Sequence, residues 1–207
     1  MTPYRLRQDG QLQRFLAWSK AQGGEELPVQ LTTYFKPAQQ RRIAWLRAHV
    51  QGTVLELGCS WGYVLAAVTD GNPRVAKQGH VGIDIAEHNV LLARILNPYE
   101  SSGLTFQQGD LLGLPYDENL FDTVMLPEVL EHLDWPGEVH TAVWEAIRLT
   151  RKQVLITIPD GREDTPEACS FKHHYLFDEE HAQELLSWMN GAHLEYHQGF
   201  ALIAWSL

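Results

Sequence analysis

Short apolar runs alternate along this chain with stretches whose apolar residues recur every three or four positions. Val54–Leu57, His80–Ile85, Leu104–Gln107, Thr123–Leu126 and Val154–Ile158 read as five strands. Helical patterns lie between most of them. One covers residues 62–70, and another runs over Glu87–Leu96 until Asn97-Pro98 stops it. A third spans about Gly137–Thr150, with Val139, Ala142, Val143, Ala146 and Ile147 on one stripe. Pro159-Asp160-Gly161 closes the fifth strand, and a further helix is predicted over Asp178–Met189 with Asp178 as its N-cap. His193–His197 and Phe200–Ser206 then form a hairpin around Gln198-Gly199. Upstream, Leu12, Phe15, Leu16 and Ser19 predict a short amphipathic helix, Gly23 and Gly24 break it, and a second helix runs over Pro37–His49. The whole predicts an α/β fold: a mainly parallel, seven-stranded sheet with an antiparallel C-terminal hairpin and helices on both faces.

Composition narrows the setting. A chain of 207 residues suits one well-buried domain, with residues 1–50 as a helical lid or substrate segment and 51–207 as the core. With 44% hydrophobic and 20% charged residues, the chain has the balance of a globular protein. No apolar run approaches the ~20 residues of a membrane helix, so no membrane partner is expected. Met1–Gln13 lacks the apolar core of a signal peptide, and Cys59 and Cys169 form neither a metal-ligand spacing nor a disulfide framework. A reducing cytoplasm is the simplest compartment. The net charge of −10 and pI near 5.4 disfavour a large nucleic-acid footprint. The densest basic cluster, Lys36, Arg41, Arg42 and Arg47, reads as a solvated helix face.

The candidate chemistry begins where the first strand ends. In Val54-Leu55-Glu56-Leu57-Gly58-Cys59-Ser60-Trp61-Gly62 an apolar strand meets a glycine turn and then a helix, the arrangement that builds a nucleotide-sized crevice in open α/β sheets. The turn departs from a dinucleotide fingerprint: Ser60 holds the middle position and Tyr63 the place of the last glycine. Glu56 lies inside the strand, where an acid suits a cationic ligand better than a pyrophosphate. S-adenosylmethionine, a sulfonium nucleoside, is therefore preferred to NAD. Asp84 ends the second strand, where a carboxylate can accept both ribose hydroxyls. Gly109-Asp110-Leu111 follows the third, where a carboxylate or its neighbouring amide can meet the adenine edge.

Glu56-Leu57-Gly58-Cys59-Ser60-Trp61-Gly62, Gly82-Ile83-Asp84, Gly109-Asp110 and Phe121-Asp122-Thr123-Val124 together resemble the class I S-adenosylmethionine-dependent methyltransferases. The resemblance runs from about residue 37 to the C-terminus and implies a Rossmann-like fold. The one departure is Ser60, for the family's usual middle glycine. It implies that Glu56, Gly58, Gly62 and Asp84 line the methionine and ribose, with Asp110 and Leu111 beside the adenine. Cys59, Ser60, Ile85 and Pro127 complete the candidate cofactor contacts.

A second constellation, Glu128-Val129-Leu130-Glu131-His132, follows the fourth strand. In a helical turn, Glu128, Glu131 and His132 share one face, and two carboxylates with an imidazole suit Mg²⁺, Mn²⁺, Fe²⁺ or Co²⁺. The segment is similar to one in ubiquinone-pathway O-methyltransferases and bacterial small-RNA 2′-O-methyltransferases, where it binds a divalent cation. By the latter resemblance His173, four residues before Phe177, completes the ligand set. Without a metal, the segment serves the substrate pocket or local packing. His132, His174 and Glu131 are the catalytic candidates, either histidine being a suitable general base. Of the nearby aromatics Tyr34, Phe35, Tyr116, Trp135, Phe171, Tyr175 and Phe177, most read as anchors; Tyr34 and Phe35 suit a cofactor lid. The leading expectation is a methyltransferase acting on a hydroxyl of a small-molecule acceptor. The alternatives are an RNA-end methyltransferase and a non-catalytic cofactor-binding partner subunit, with a nicotinamide-dependent reductase last.

Overall fold

The computed structural model describes residue 21 and residues 36–97, 103–161, 173–197 and 199–207. The amphipathic stretch around Leu12–Ser19, the aromatics Tyr34, Phe35 and Phe171, and Cys169 lie outside the described residues. Helix α1 (Pro37–His49) leads into β1 (Val54–Leu57), α2 (Tyr63–Thr69), β2 (His80–Asp84), α3 (Glu87–Leu96), β3 (Leu104–Gln108) and β4 (Phe121–Pro127). A single 3₁₀ turn (Leu130–His132), α4 (Gly137–Leu149), β5 (Thr150–Pro159), α5 (Glu179–Trp188), β6 (His193–Tyr196) and β7 (Phe200–Ser206) follow. The seven strands form one sheet in the order β3-β2-β1-β4-β5-β7-β6. β1 to β5 run parallel, and β7 pairs antiparallel with both β5 and β6. Among the described residues no helix is long and apolar enough to cross a membrane.

Side-chain alternation along the buried strands sorts the core into two layers. Leu55 and Leu57 of β1 join Val124, Leu126, Val154 and Ile156 on one face, covered by Val139, Ala142, Val143 and Ala146 of α4 and Ala182 and Leu185 of α5. Val54, Met125 and Leu155 face the other way, against Ile43 and Leu46 of α1, residues 63–68 of α2, and Val90 and Ala93 of α3. Each large apolar side chain so buried contributes about 1.5–3 kcal/mol relative to exposure. Asp178 caps α5 as its sequence requires, Oδ1 accepting from the backbone of Glu180 and His181. His197 and Phe200 exchange backbone hydrogen bonds across a tight turn in which Gly199 has φ +87°.

One element differs in a way that matters. The segment after β4 does not continue as one helical turn from Glu128. Glu128 adopts a left-handed conformation (φ +56°), and helical geometry begins only at Leu130. Glu128 is thereby turned off the face that Glu131 and His132 share.

Two packing constraints have measurable consequences. His80 opens β2 at 3% exposure; Nδ1 accepts from the Val54 N–H (3.2 Å) and Nε2 lies 2.9 Å from the Ala76 carbonyl. These partners require the neutral ring protonated on Nε2, because a second ring proton would confront the Val54 N–H. Burial lowers the ring's pKa below its ordinary 6.5, and the Ala76 carbonyl opposes this only in part. The unfolded chain takes up this proton near pH 6.5 and the folded chain does not, so the stability at stake is present above that pH and lost as pH falls below it. Urea unfolding between pH 8 and pH 5 is expected to show that loss, and His80→Gln is expected to flatten it. An unchanged pH slope in the variant would assign the loss to other groups.

Gly62 caps α2 with φ +72°, and a Cβ there would stand 2.4 Å from Cζ of Phe106. Backbone strain and the ring displacement each cost on the order of 1–3 kcal/mol. Gly62→Ala is expected to lower the urea-unfolding free energy by about 3 kcal/mol. A loss below about 1 kcal/mol would mean that the turn relaxes without hindrance.

Candidate cofactor and acceptor site

The turn after β1 sets residues 58, 60 and 62 at φ +74°, +47° and +72°, three left-handed residues in alternation. Gly58 lies so close to Val129 that a Cβ would sit 2.5 Å from Val129 Cγ2. The turn is therefore seated directly on the segment that follows β4. Cys59, buried, donates its backbone N–H to the Ile83 carbonyl (2.8 Å), and burial pushes its thiol pKa up, with Glu56 and Asp84 adding to the shift. Ser60 explains the family's middle glycine: the position is left-handed, where a side chain costs roughly 1–2 kcal/mol. Its N–H donates to Asp84 Oδ2 at 2.7 Å.

Glu56 stands beneath the start of α2. It is 1% exposed, and Oε2 accepts the Leu65 N–H (2.9 Å) in the first turn of α2. Burial pushes its carboxyl pKa well up; the Leu65 N–H and Arg42 pull it down, and Asp84 adds to the rise. Arg42 overturns the reading of a solvated basic face, being only 2% exposed. Its Nη1 donates to Thr157 Oγ1 (3.1 Å), its Nε donates to Gln39 Oε1 (2.8 Å), and its guanidinium lies 5.6 Å from the Phe200 ring centroid. Arg47, partly buried, donates to the carbonyls of Ala67 and Val68. Lys36 and Arg41 do lie exposed. The signal that could have found Arg42 is positional: it lies four residues before Leu46 and next to Ile43, on the buried stripe of α1.

The other candidate cofactor residues lie at the carboxyl ends of β2, β3 and β4. Asp84 is 9% exposed and accepts from the N–H groups of Ser60 and Ala86 and from Asn89 Nδ2. Ile85 beside it is 69% exposed. Gly109 donates its N–H to the Asp84 carbonyl; Asp110 is exposed, its Oδ1 accepting the Leu112 N–H, and Leu111 is half-buried. Pro127 ends β4, buried.

Beyond Val129 lies the second group. Glu131, His132 and His173 each offer a ligand atom, and the three atoms lie within 4.8 Å of one another. His132 Nε2 is 3.9 Å from Glu131 Oε1, and the rings of His132 and His173 stand 5.2 Å apart. Glu131 is 2% exposed; its carbonyl accepts the His174 N–H (2.9 Å), which fastens the 173–175 segment against the 3₁₀ turn. The His174 ring itself turns outward to Asp134 (2.7 Å). Glu128 turns elsewhere too: Thr157 Oγ1 donates to its Oε1 (3.3 Å), and Arg42 Nε lies 4.0 Å away. Tyr175 packs between Trp135 and His181, and burial together with the Glu131 charge raises its hydroxyl pKa. Phe177 is core, and Tyr116 packs edge-on against Phe121.

This arrangement has parallels. Residues 48–196 match the profile of a family described as a methyltransferase domain. Comparison with curated proteins finds no match. Among solved structures, the PH0226 protein of Pyrococcus horikoshii OT3 is 18% identical, with TM-score 0.64 over 83% of this chain and 92% of its own. An S-adenosylmethionine-dependent methyltransferase of Mesorhizobium loti is 16% identical, with TM-score 0.59 over 83% and 99%. The small RNA methyltransferase HEN1 is 17% identical, with TM-score 0.68 over 83% of this chain and 26% of that one. At these identities the likeness is one of fold. The profile match covers most of the chain and the sheet is the mainly parallel, seven-stranded one expected, so the chain belongs to the class I S-adenosylmethionine-dependent methyltransferases.

Proposed function

We propose that the protein methylates a hydroxyl of a small-molecule acceptor, with S-adenosylmethionine as the donor. The observation that carries this reading is the grouping of Glu131, His132 and His173 immediately past Val129, the residue on which the donor turn rests. A hydroxyl is a poor nucleophile until its proton has somewhere to go, and this group supplies such a place. The acceptor oxygen forms the new O–C bond as the S–C bond breaks. The bonding pair stays on sulfur, leaving the neutral thioether S-adenosylhomocysteine. The hydroxyl proton passes to Nε2 of His132, whose side chain is 32% exposed, and the Glu131 carboxylate stabilises the resulting imidazolium. Rigid alignment of donor and acceptor contributes several kcal/mol to the rate.

Two imidazole nitrogens and a carboxylate oxygen at this spacing also fit a divalent cation such as Mn²⁺, Fe²⁺, Co²⁺ or Mg²⁺. Glu131, His132 and His173 would hold it; when bound it would lower the pKa of a hydroxyl and favour O-methylation. Glu128, engaged by Thr157 and Arg42, stands outside the group. The same three ligands favour a second reading, an RNA 3′-end 2′-O-methyltransferase, and the fold of the small RNA methyltransferase HEN1 supports it. The net charge of −10 favours the small molecule.

Two measurements test these statements. Mn²⁺ at a hundredfold excess over its Kd is expected to raise the melting temperature by about 5 °C or more, and Glu131→Ala to remove that gain. Identical melting with metal and with chelator would take the ion out of the site. Label from methyl-labelled S-adenosylmethionine is expected in the small-molecule fraction of an extract. Label confined to RNA would establish the second reading instead.

A further inference from the structure

The outer face of α4 carries side chains that its packing does not use. Val139, Ala142, Val143 and Ala146 turn to the core, while His140 and Trp144, one helical turn apart, lie exposed on another face. Trp144 is 49% exposed. Its Nε1 donates to His140 Nε2 at 2.7 Å; an indole N–H can only donate, so this bond satisfies it and leaves the ring as an apolar plane. The His140 ring stands edge-on to Trp188 at the end of α5 (4.9 Å). Trp188 stacks on Trp135 (5.3 Å), and Trp135 packs against Tyr175 (5.1 Å). These last three rings are each half-buried. Five rings thus run without a break from the outside of α4 to the segment that carries His173. Large aromatic side chains joined in this way are the composition of an interface core, where tryptophan, tyrosine and their partners supply most of the contact energy.

The charge on the same two segments is almost all of one sign. Residues 128–149 hold five carboxylates and one arginine, and residues 173–191 hold four carboxylates and neither lysine nor arginine. That arginine, Arg148, is committed elsewhere: it donates to Glu145 and to the carbonyls of Leu114 and Tyr116. Glu184 borders the rings directly, its Oε2 accepting from Trp135 Nε1 (3.2 Å), and the exposed Asp134 precedes Trp135. Aromatic planes bordered by carboxylates suit a guanidinium, which is flat enough to stack on an indole while its N–H groups reach a carboxylate. An ammonium brings the charge without the plane. We propose that this face of α4 and α5 docks an arginine-bearing segment of another protein, with Trp144 as the central stacking contact. The surface is separate from the methyl-transfer reading and does not depend on it.

The test is calorimetric binding of two end-capped nonapeptides, one of arginine and one of lysine, to the full chain at physiological salt. The native protein is expected to bind the arginine peptide about fivefold more tightly, although both peptides carry the same charge. Trp144→Ala leaves the net charge of the protein unchanged. It is expected to weaken the arginine peptide about fivefold and the lysine peptide by less than about twofold. Leu91→Ser, on an exposed position of α3 across the sheet, should change neither. The comparison of the two peptides on the native protein needs no variant, so it stands whether or not one misfolds. Equal affinity for the two peptides, or no binding of either, would overturn the proposal. So would a Trp144→Ala variant that keeps the full preference for arginine. A native protein that sediments as a dimer, and as a monomer once Trp144 is replaced, would assign the face to a second copy of this chain and overturn it as well.

Discussion

The structure depends on how the backbone leaves β1. Between Leu57 and Tyr63 the chain must stop being a buried strand and begin a helix on the face of the same sheet. It does so by passing through the left-handed region at residues 58, 60 and 62. A hydrogen bond of its own, from the Gly62 N–H to the Cys59 carbonyl (2.8 Å), closes the turn. The path is also held by its neighbours: the Ile83 carbonyl takes the Cys59 N–H, Asp84 takes the Ser60 N–H, and Val129 and Phe106 occupy the space that side chains at 58 and 62 would need. β2, β3 and the segment after β4 must all be in place for the turn to exist. Local strain of this kind is sustained because the surroundings over-determine it.

From that turn the charges of the interior follow. Glu56 is carried on the face of β1 that meets α1 and α2, where its carboxylate can reach the amides at the start of α2. Burial favours the neutral form of a carboxyl so placed, and the buried Arg42 opposes this in part. Arg42 also bonds Thr157 and approaches Glu128. Helix α1, strand β1 and the segment after β4 are therefore electrostatically linked through one guanidinium.

Most of the fold was legible in the chain. Periodicity located every described strand and helix to within a few residues, because buried parallel strands and amphipathic helices write their burial into residue type. The ends of β4 and β5 were underestimated, since Asp122, Arg151 and Lys152 are polar residues that pair with one another at the sheet's surface. The arrangement was legible where a motif fixes backbone shape, as at Gly58 and Gly62, both left-handed in the turn after β1. It was not legible where a side chain chooses among partners. Glu128, Glu131 and His132 look equivalent under helical spacing, but one left-handed residue sends Glu128 to Thr157 while its neighbours meet His173. Arg42 belongs to no motif, and its place is set by long-range contacts that spacing does not encode.

The contact between Gly58 and Val129 has a consequence for how the two segments can vary. A Cβ at position 58 would stand 2.5 Å from Cγ2 of Val129, so the turn after β1 is seated directly on the segment that follows β4. Added bulk at 129 would press on the backbone of the turn, and lost bulk would leave a gap beneath it. Position 129 acts as a spacer of fixed length, and a substitution there is felt in the turn as well as in its own segment.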